Sequence, residues 1–141
     1  MLIRYKRLSP LARPPYQASQ EAAGFDLTAI SKTIDEANNC VIYGTGLALE
    51  IPPHHVGLLF PRSSVFKSAH ILANCVGVID PDYRGEVKVI YRTIEPSSPA
   101  YAVGDRVAQL IIMPLPVVEY LEADTLEETE RGEKGYGSTG L

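Results

Sequence analysis

The sequence is poor in the features that mark secreted, metal-binding or membrane-spanning proteins. Its 141 residues include only two cysteines, Cys40 and Cys75, and both lie in strand-like segments, which favours buried thiols over a disulfide framework or a metal site. No run approaches the ~18–20 apolar residues that a membrane span requires, and residues 1–7 lack the apolar core of a signal peptide. We therefore expect a soluble, cytoplasmic protein without a membrane partner.

An excess of positive charge is also missing. The chain carries 13 basic and 17 acidic residues, a net charge of -4, whereas a protein that binds a nucleic-acid polymer usually presents a basic face. A small anionic ligand is still compatible with this balance, because local basic clusters can exist within an acidic chain. His54, His55 and His70 have no metal-ligand spacing to cysteine or glutamate, and we interpret them as structural or surface residues.

Helical periodicity is the third feature of which the chain has little. Short apolar runs recur at roughly 8–12-residue spacing, with 11 glycines and 11 prolines between them. This pattern predicts a single all-β domain, a barrel or a jelly roll. The serine pair Ser63-Ser64 after Pro61 predicts the start of one short helical turn.

Strands and connections can be predicted along the chain. We predict an edge strand at residues 2–7, a strand at 22–29 with a bend at Gly24, a loop at Ser31 to Asn39, a hairpin of 41–43 and 47–51 around Gly44-Thr45-Gly46, and strands at 56–60, 71–76, 87–91 and 107–113.

Chemistry and turn geometry coincide in Gly77-Val78-Ile79-Asp80-Pro81-Asp82-Tyr83-Arg84-Gly85-Glu86. The segment lies between two apolar runs, so it predicts a tight connection between strands that presents carboxylates at a pocket. The same residues are also typical of a solvated turn, since Asp and Pro favour turns for backbone reasons alone.

The composition changes towards the C-terminus. Acidic side chains dominate residues 122–130, and four glycines lie in the last ten residues. We therefore predict a β domain over residues 1–121 and a flexible arm over residues 122–141. Such an end often has no role, but its mixture of cations, an aromatic ring, hydroxyls and glycines is also suited to binding phosphate and a planar ring.

Five segments carry a resemblance to a known family. They are Ala23-Gly24-Phe25-Asp26-Leu27, Pro61-Arg62-Ser63-Ser64, Gly77 to Glu86, Gly104-Asp105-Arg106-Val107-Ala108-Gln109-Leu110, and Arg131 to Gly140. Each is weak alone, but in this order and spacing they closely resemble the five motifs of the homotrimeric dUTPases over nearly the whole chain. The resemblance implies a distorted jelly-roll or β-clip barrel with one short helical turn and a mobile C-terminal arm.

The resemblance also implies an activity, hydrolysis of dUTP to dUMP and pyrophosphate, which keeps dUTP low and supplies dUMP for thymidylate synthesis. Asp80 matches the aspartate that activates a water for attack on the α-phosphorus. Tyr83 matches the tyrosine that lies against the deoxyribose and excludes a ribose 2′-hydroxyl. Asn74 to Asp80 corresponds to the hairpin whose backbone pairs with uracil, so that Asn74, Val78 and Ile79 contact the base.

The remaining motif residues are assigned to the phosphates and to support. Arg62, Ser63, Ser64 and Gln109 match phosphate-binding residues. Asp26, Asp105 and Arg106 match supporting residues. In the arm, Arg131, Ser138 and Thr139 match the γ-phosphate clamp, Gly137 belongs to the same segment, and Tyr136 occupies the place of a phenylalanine that stacks over uracil.

The sequence departs from the usual motifs at Tyr136, at Lys134 and at Ser64, the latter two replacing a common glycine, and none of these changes removes a required group. Mg²⁺ is expected to be held mainly by the substrate phosphates and water, with Asp26 as a candidate outer-shell group. The family resemblance further implies a homotrimer with active sites shared between subunits.

Two other functions fit parts of the same pattern. A dCTP deaminase has the same fold, but its catalytic glutamate would fall near Ile90, where this chain has no carboxylate. A nucleotide-responsive regulatory protein with a dUTPase-like fold is the other alternative, because an intact Asp80 does not exclude a second role.

Overall fold

Ten β-strands and one short 3₁₀ helix make up the regular structure of the described residues, 1–95 and 100–135, of a computed structural model. The strands are β1 (Arg4–Arg7), β2 (Phe25–Thr28), β3 (Ser31–Asp35), β4 (Cys40–Gly44), β5 (Leu47–Glu50), β6 (His55–Phe60), β7 (His70–Leu72), β8 (Gly77–Ile79), β9 (Lys88–Thr93) and β10 (Arg106–Pro114). The 3₁₀ helix spans Ser63–Lys67. The predicted all-β fold with one short helical turn is confirmed.

The strands form three antiparallel sheets. Two have four strands, in the orders β2-β10-β6-β8 and β3-β4-β9-β7, and the third is the pair β1-β5. One hydrophobic cluster takes side chains from all three sheets, among them Leu27, Tyr43, Leu47, Tyr91 and Val107. Burial of each large apolar side chain contributes about 1.5–3 kcal/mol. This shared core holds the connecting loops in fixed positions at the edges of the sheets.

Tyrosine hydroxyls in the core are paired with backbone carbonyls. Tyr43 donates to the carbonyl of Tyr101 at 3.1 Å, and Tyr91 donates to that of Val107 at 2.7 Å. The rings of Tyr43 and Tyr91 meet edge to face at 6.2 Å. Burial raises the pKa of Tyr43 to about 12, so this hydroxyl stays protonated and keeps its hydrogen bond.

The prediction of a loop at Ser31 to Asn39 is wrong for its first half. Residues 31–35 form β3, an edge strand that pairs with β4. Its side chains are exposed or partly exposed, so the strand is held by backbone hydrogen bonds and needs no apolar pattern. Lys32 also places its ammonium 5.9 Å from the centre of the Tyr43 ring.

The predicted hairpin around Gly44-Thr45-Gly46 is also wrong. The strands β4 and β5 exist, but β4 pairs with β3 and β9, whereas β5 pairs with β1. Thr45 is fully buried, and its hydroxyl donates to the carbonyl of Val87 at 2.7 Å. Gly46 adopts φ +66°, which glycine tolerates without strain. The turn therefore carries the chain from one sheet to another.

The segment 71–76 is shorter as a strand than predicted. The strand β7 ends at Leu72, a turn follows, and β8 begins at Gly77. Because β8 pairs with β6 and β9 pairs with β4 and β7, residues 80–87 connect two sheets and do not close a hairpin. Both cysteines are free, Cys40 is buried as predicted, and Cys75 is exposed, because it lies in this turn and not in a strand.

The last regular strand ends at Pro114. Residues 115–135 are exposed and contain no helix or strand. Large apolar side chains in this segment lie in solvent, including Tyr120 (97% exposed), Leu121 (92%) and Leu126 (88%). Within residues 1–95 and 100–135, no helix has the length and apolar character needed to cross a membrane.

Candidate active site

The turn after β8 presents Asp80 to solvent. The backbone N–H of Tyr83 donates to the carbonyl of Asp80 at 3.2 Å and closes the turn. Arg84 braces it, since its Nη1 donates to the carbonyls of Pro81 at 2.6 Å and Tyr83 at 3.1 Å. In the described part of the chain, the Asp80 carboxylate has no hydrogen-bond or ion-pair partner and is therefore available to hold a water.

Asp80 lies in an open cleft of about 330 Å³. Its lining residues are Val78, Ile79, Asp80, Tyr83, Glu86, Val87, Lys88 and Ile90. Val78 is 63% exposed and faces outward, whereas Ile79 belongs to the core and supports the cleft from below. The structure therefore brings together four residues assigned from the sequence, Val78, Ile79, Asp80 and Tyr83.

The Tyr83 ring is fixed by its immediate neighbours. Its hydroxyl donates to the carbonyl of Glu86 at 3.0 Å, across Gly85. A Cβ at Gly85 would lie 2.6 Å from Cζ of the ring, so only glycine allows this approach. The ring remains 45% exposed, and a ligand in the cleft can contact it.

The β7–β8 turn contains Asn74, the residue expected to lie near the base. Its carbonyl accepts a hydrogen bond from Val76 N–H at 2.6 Å, and the N–H of Cys75 donates to the carbonyl of Leu72 at 3.0 Å. Cys75 has φ +60°, a left-handed conformation that is uncommon for a residue with a side chain. The Asn74 side chain is exposed and points out of the core.

A second cluster is centred on Asp26 of β2. One carboxylate oxygen accepts from Nε of Arg62 at 3.0 Å, and the other accepts from Nη1 of Arg106 at 2.9 Å. The Asp26 side chain is only 12% exposed, so these charge-assisted hydrogen bonds are largely shielded from water. Asp26 thus joins the segment after β6 to β10.

Gln109 and Asp105 are tied to the same framework. Nε2 of Gln109 donates to the carbonyl of Pro61 at 3.0 Å, and a Cβ at Gly24 would lie 2.6 Å from Oε1 of Gln109. Asp105 accepts from the N–H of Ala102 at 2.8 Å, which closes the turn before β10. Both residues hold loops in position in this structure.

Ser63 and Ser64 open the 3₁₀ helix, as predicted. Ser63 is exposed and Ser64 is partly buried. The residue before the helix is Arg62, which makes no side-chain cap, and neither serine hydroxyl forms a hydrogen bond to another described residue. These hydroxyls can therefore bind an external oxygen.

The two clusters lie far apart on one sheet. Asp26 is on β2 and Asp80 follows β8, and these are the edge strands of the sheet β2-β10-β6-β8. Three strand spacings separate the edges by about 14 Å. Positions on β6 give a common reference for the two residues. Asp26 aligns with Phe60 of β6, because both pair with the same residue of β10. Asp80 follows Ile79, which pairs with Gly57 of β6, so Asp80 aligns with the position before Gly57. This offset of four residues corresponds to about 13 Å along the strands. Because that direction is perpendicular to the roughly 14 Å between the edge strands, the two positions are about 19 Å apart along the sheet.

The arm is described up to Gly135. Arg131 is exposed, and its Nε donates to the carbonyl of Lys134 at 3.2 Å, within a local turn that includes Gly132 at φ +54°. The other arm residues assigned to substrate binding are Tyr136, Gly137, Ser138 and Thr139, and these lie outside the described residues.

Sequence reasoning gave no role to Glu86 or Lys88, although both line the Asp80 cleft. Alternation along β9 is the signal that identifies part of this wall: Val89 and Tyr91 are buried, and the residues between them face outward. No such rule applies to Glu86, which lies in the connection before β9.

No group of three or more His, Cys, Asp or Glu side chains in the described ranges is arranged to hold a metal.

The fold is shared with solved all-β structures. A variant of the dUTPase of Staphylococcus bacteriophage 80alpha, solved with dUpNHpp, superposes with a TM-score of 0.82 at 27% identity and covers 99% of both chains. The dUTPase of S. aureus phage phi11, in a variant described with a structural Mg(II) ion, has a TM-score of 0.76 at 24% identity over 91% of this chain and all of the other, which supports the fold.

Sequence comparison assigns the family. The dUTPase family profile matches residues 12–140. A deoxyuridine 5′-triphosphate nucleotidohydrolase of Corynebacterium diphtheriae is 38% identical over 99% of this chain and 93% of its own length. That of Nautilia profundicola is 40% identical over 99% of both chains. The fowl adenovirus A enzyme of the same name is 42% identical over 97% of this chain and 76% of its own. The chain belongs to the dUTPase family.

Proposed function

We propose that this protein hydrolyses dUTP to dUMP and pyrophosphate, with Asp80 as the base that activates water. The observation that carries the proposal is the exposed Asp80 carboxylate, which lies beside Tyr83 without a hydrogen-bond partner among residues 1–95 and 100–135, in a chain of the dUTPase family. A carboxylate in this position can accept a proton from a water held by hydrogen bonds.

The reaction is a displacement at phosphorus. The water held by Asp80 forms a new bond to the α-phosphorus, and its proton passes to the Asp80 carboxylate. The bond between the α-phosphorus and the oxygen that bridges to the β-phosphorus breaks, and pyrophosphate leaves. The exposed position of Asp80 on a turn braced by Arg84 fixes the carboxylate without closing it off from a ligand.

The cleft supports recognition of base and sugar. We assign recognition of the base to the backbone of residues 74–80, of which residues 78–80 line the cleft. A fixed donor and acceptor pattern rejects cytosine because a buried polar group would be left unpaired. Tyr83 presents its ring beside Asp80, and its position supports contact with the deoxyribose. Val78 and Ile79 supply apolar walls.

The phosphates need cations and donors. We assign these to Arg62, Ser63, Ser64 and Gln109, with Asp26, Asp105 and Arg106 as the framework that holds them. Both Asp26 oxygens accept from arginines, so the donor set fits a Mg²⁺ ion bound mainly through triphosphate oxygens and water, with Asp26 at most in its outer shell. When bound, Mg²⁺ would neutralise charge on the phosphates.

The geometry supports an active site shared between chains of a homotrimer. A base must lie within hydrogen-bond reach of its water, about 3 Å, whereas Asp80 and the Asp26 cluster of one chain are about 19 Å apart along the sheet. The apolar side chains exposed in residues 115–126 are a further sign of contact with another copy. We place Asp80 of one chain beside the Asp26 cluster of a second chain. The arm of a neighbouring chain, residues 122–141, closes over this shared site.

Deamination of dCTP is disfavoured by one residue. Ile90, where a deaminase of this fold would place its glutamate, lines the Asp80 cleft and offers no acid or base. Incubation of the protein with Mg²⁺ and either dUTP or dCTP, with pyrophosphate and ammonia both followed, tests the choice. We expect pyrophosphate from dUTP. Ammonia from dCTP would contradict the proposal.

The role that we assign to this protein is to remove dUTP and to supply dUMP in the cytoplasm.

A further inference from the structure

The Glu86 carboxylate links the catalytic turn to a distant loop. Its Oε1 accepts a hydrogen bond from the buried N–H of Gly46 at 2.8 Å, and its side chain is 26% exposed. A Cβ at Gly44 would lie 2.8 Å from the same oxygen, so the carboxylate fits directly against the backbone between β4 and β5. This contact joins residues separated by 40 positions in the chain.

Other hydrogen bonds strengthen the same junction. The Thr45 hydroxyl donates to the carbonyl of Val87, and the N–H of Val87 donates to the carbonyl of Leu47 at 2.8 Å. Residues 86 and 87 are therefore held against residues 45–47 by side-chain and backbone contacts.

The junction continues to the tyrosine in the cleft. The carbonyl of Glu86 accepts the hydrogen bond from the Tyr83 hydroxyl. The side chain of Glu86 is therefore bound to Gly46, and its backbone carbonyl is bound to the Tyr83 hydroxyl. A shift of Glu86 would move the acceptor of the Tyr83 hydroxyl directly.

We propose that Glu86 is a positioning residue that sets the location of the Tyr83 ring, and thereby the discrimination between deoxyribose and ribose nucleotides. This inference rests on the proposed function, because it gives Tyr83 its role at the sugar. Glu86 acts through Tyr83 and does not itself contact the reacting atoms.

The ion pair of Glu86 with Lys88 is not an adequate explanation of its position. The Nζ–Oε2 distance is 3.7 Å and the Lys88 side chain is 53% exposed, and exposed pairs of this kind contribute little. The bond to a buried backbone N–H is more directional, and its loss leaves a donor without a partner. The length of the side chain, more than its charge, is then the important property.

Two variants separate length from charge. Glu86→Gln keeps an oxygen at the same distance and loses the charge, whereas Glu86→Asp keeps the charge and withdraws the carboxylate by one methylene. We expect Glu86→Gln to retain the wild-type ratio of kcat/KM for dUTP over UTP, and Glu86→Asp to lower that ratio by about tenfold. Asp82→Asn, a change in the same turn, is the matched control and should leave the ratio unchanged.

The outcomes are distinct. Equal losses of kcat/KM for dUTP and UTP in Glu86→Asp would indicate a structural role only and would overturn the inference, as would a fall in the ratio for Glu86→Gln. A crystal structure of Glu86→Asp provides a readout that does not require activity: the Tyr83 hydroxyl should leave the carbonyl at position 86. If wild-type protein does not hydrolyse dUTP but Tyr83 is displaced in Glu86→Asp, the proposed function is refuted and the positioning role of Glu86 stands.

Discussion

Asp26 and Asp80 lie on opposite edges of the same four-stranded sheet, about 19 Å apart along its surface. Asp26 is enclosed by two arginines, and Asp80 is exposed without a partner among the described residues. With the roles that we propose, a triphosphate at the Asp26 cluster of one chain is too far from Asp80 of that same chain. The proposed reaction therefore needs at least two copies of the chain to form one active site.

Mixing two inactive chains tests the shared site. Asp80→Asn lacks the proposed base, and a chain truncated after Glu130 lacks the arm residues 131–141. The two chains are mixed in equal amounts and reassembled at random into trimers. If the base and the arm of one site come from different chains, about a quarter of the sites then carry both an intact Asp80 and an intact arm. The measurement is dUTP hydrolysis by the refolded mixture, with each variant refolded alone as the control. No activity above that of the single variants would contradict this arrangement.

Asp80→Asn should remove the proposed base and leave the shape of the turn unchanged. We expect kcat to fall by about 10² to 10⁴-fold, the range contributed by general base catalysis, while dUTP binding is retained. Steady-state kinetics and calorimetric titration with dUTP measure the two effects separately. Asp82→Asn removes a neighbouring carboxylate with no assigned role and should be as active as wild type. Loss of binding in Asp80→Asn would point to a structural role for this residue.

Asp26→Ala should destabilise the fold. It leaves the guanidinium groups of Arg62 and Arg106 facing each other without their shared acceptor, and we expect a loss of about 2–3 kcal/mol in the free energy of unfolding. Urea unfolding measures this change. Glu50→Gln breaks the exposed pair between Arg4 and Glu50 and should leave the unfolding midpoint nearly unchanged. Equal effects from the two substitutions would show that the Asp26 cluster is not a structural centre.

His70 should make the fold sensitive to mild acid. The side chain is buried and neither ring nitrogen has a hydrogen-bond partner among the described residues. Burial lowers the pKa of His70 below its ordinary value of 6.5, and the nearby Lys32 adds to the shift. The unfolded chain then binds a proton at a higher pH than the folded chain, so this contribution to stability is present above about pH 6.5 and is lost as the pH falls below it.

Replacing the imidazole isolates this effect. His70→Phe keeps a ring against Tyr91, whose centroid lies 5.8 Å from that of the imidazole. We expect the unfolding free energy of the variant to fall less than that of wild type between about pH 7.5 and about pH 5.5. Other titrating groups are common to both proteins, so the difference reports on His70. Parallel pH profiles would mean that His70 is already hydrated or paired in the folded protein.

The sequence was most informative where one side-chain pattern determines one local structure. The long apolar run 107–113 predicted most of β10, and the serine pair predicted the 3₁₀ helix at Ser63–Lys67. In contrast, β3 was missed because an edge strand exposed on both faces has no apolar alternation. Pairing between strands was also mispredicted, because Gly44-Thr45-Gly46 is typical of a hairpin but here connects two sheets.

The candidate site shows the same division. Val78, Ile79, Asp80 and Tyr83 are close in sequence, and their turn predicted a common cleft, which the structure contains. The contact between Glu86 and Gly46 depends on strand topology and has no local signal in the sequence. Likewise, no spacing rule indicates that Asp26 and Asp80 lie at opposite edges of one sheet.

Pyrophosphate release from dUTP, dTTP, dCTP and UTP by the purified protein with Mg²⁺ tests the proposed activity directly. We expect rapid release from dUTP and little from the other three nucleotides. Backbone pairing at residues 74–80 would exclude cytosine, close packing of that segment would exclude the thymine methyl, and the Tyr83 ring would exclude the ribose 2′-hydroxyl. Intact dUTP after incubation, or equal turnover of dUTP and UTP, would contradict the proposal that this protein is a dUTP-specific hydrolase.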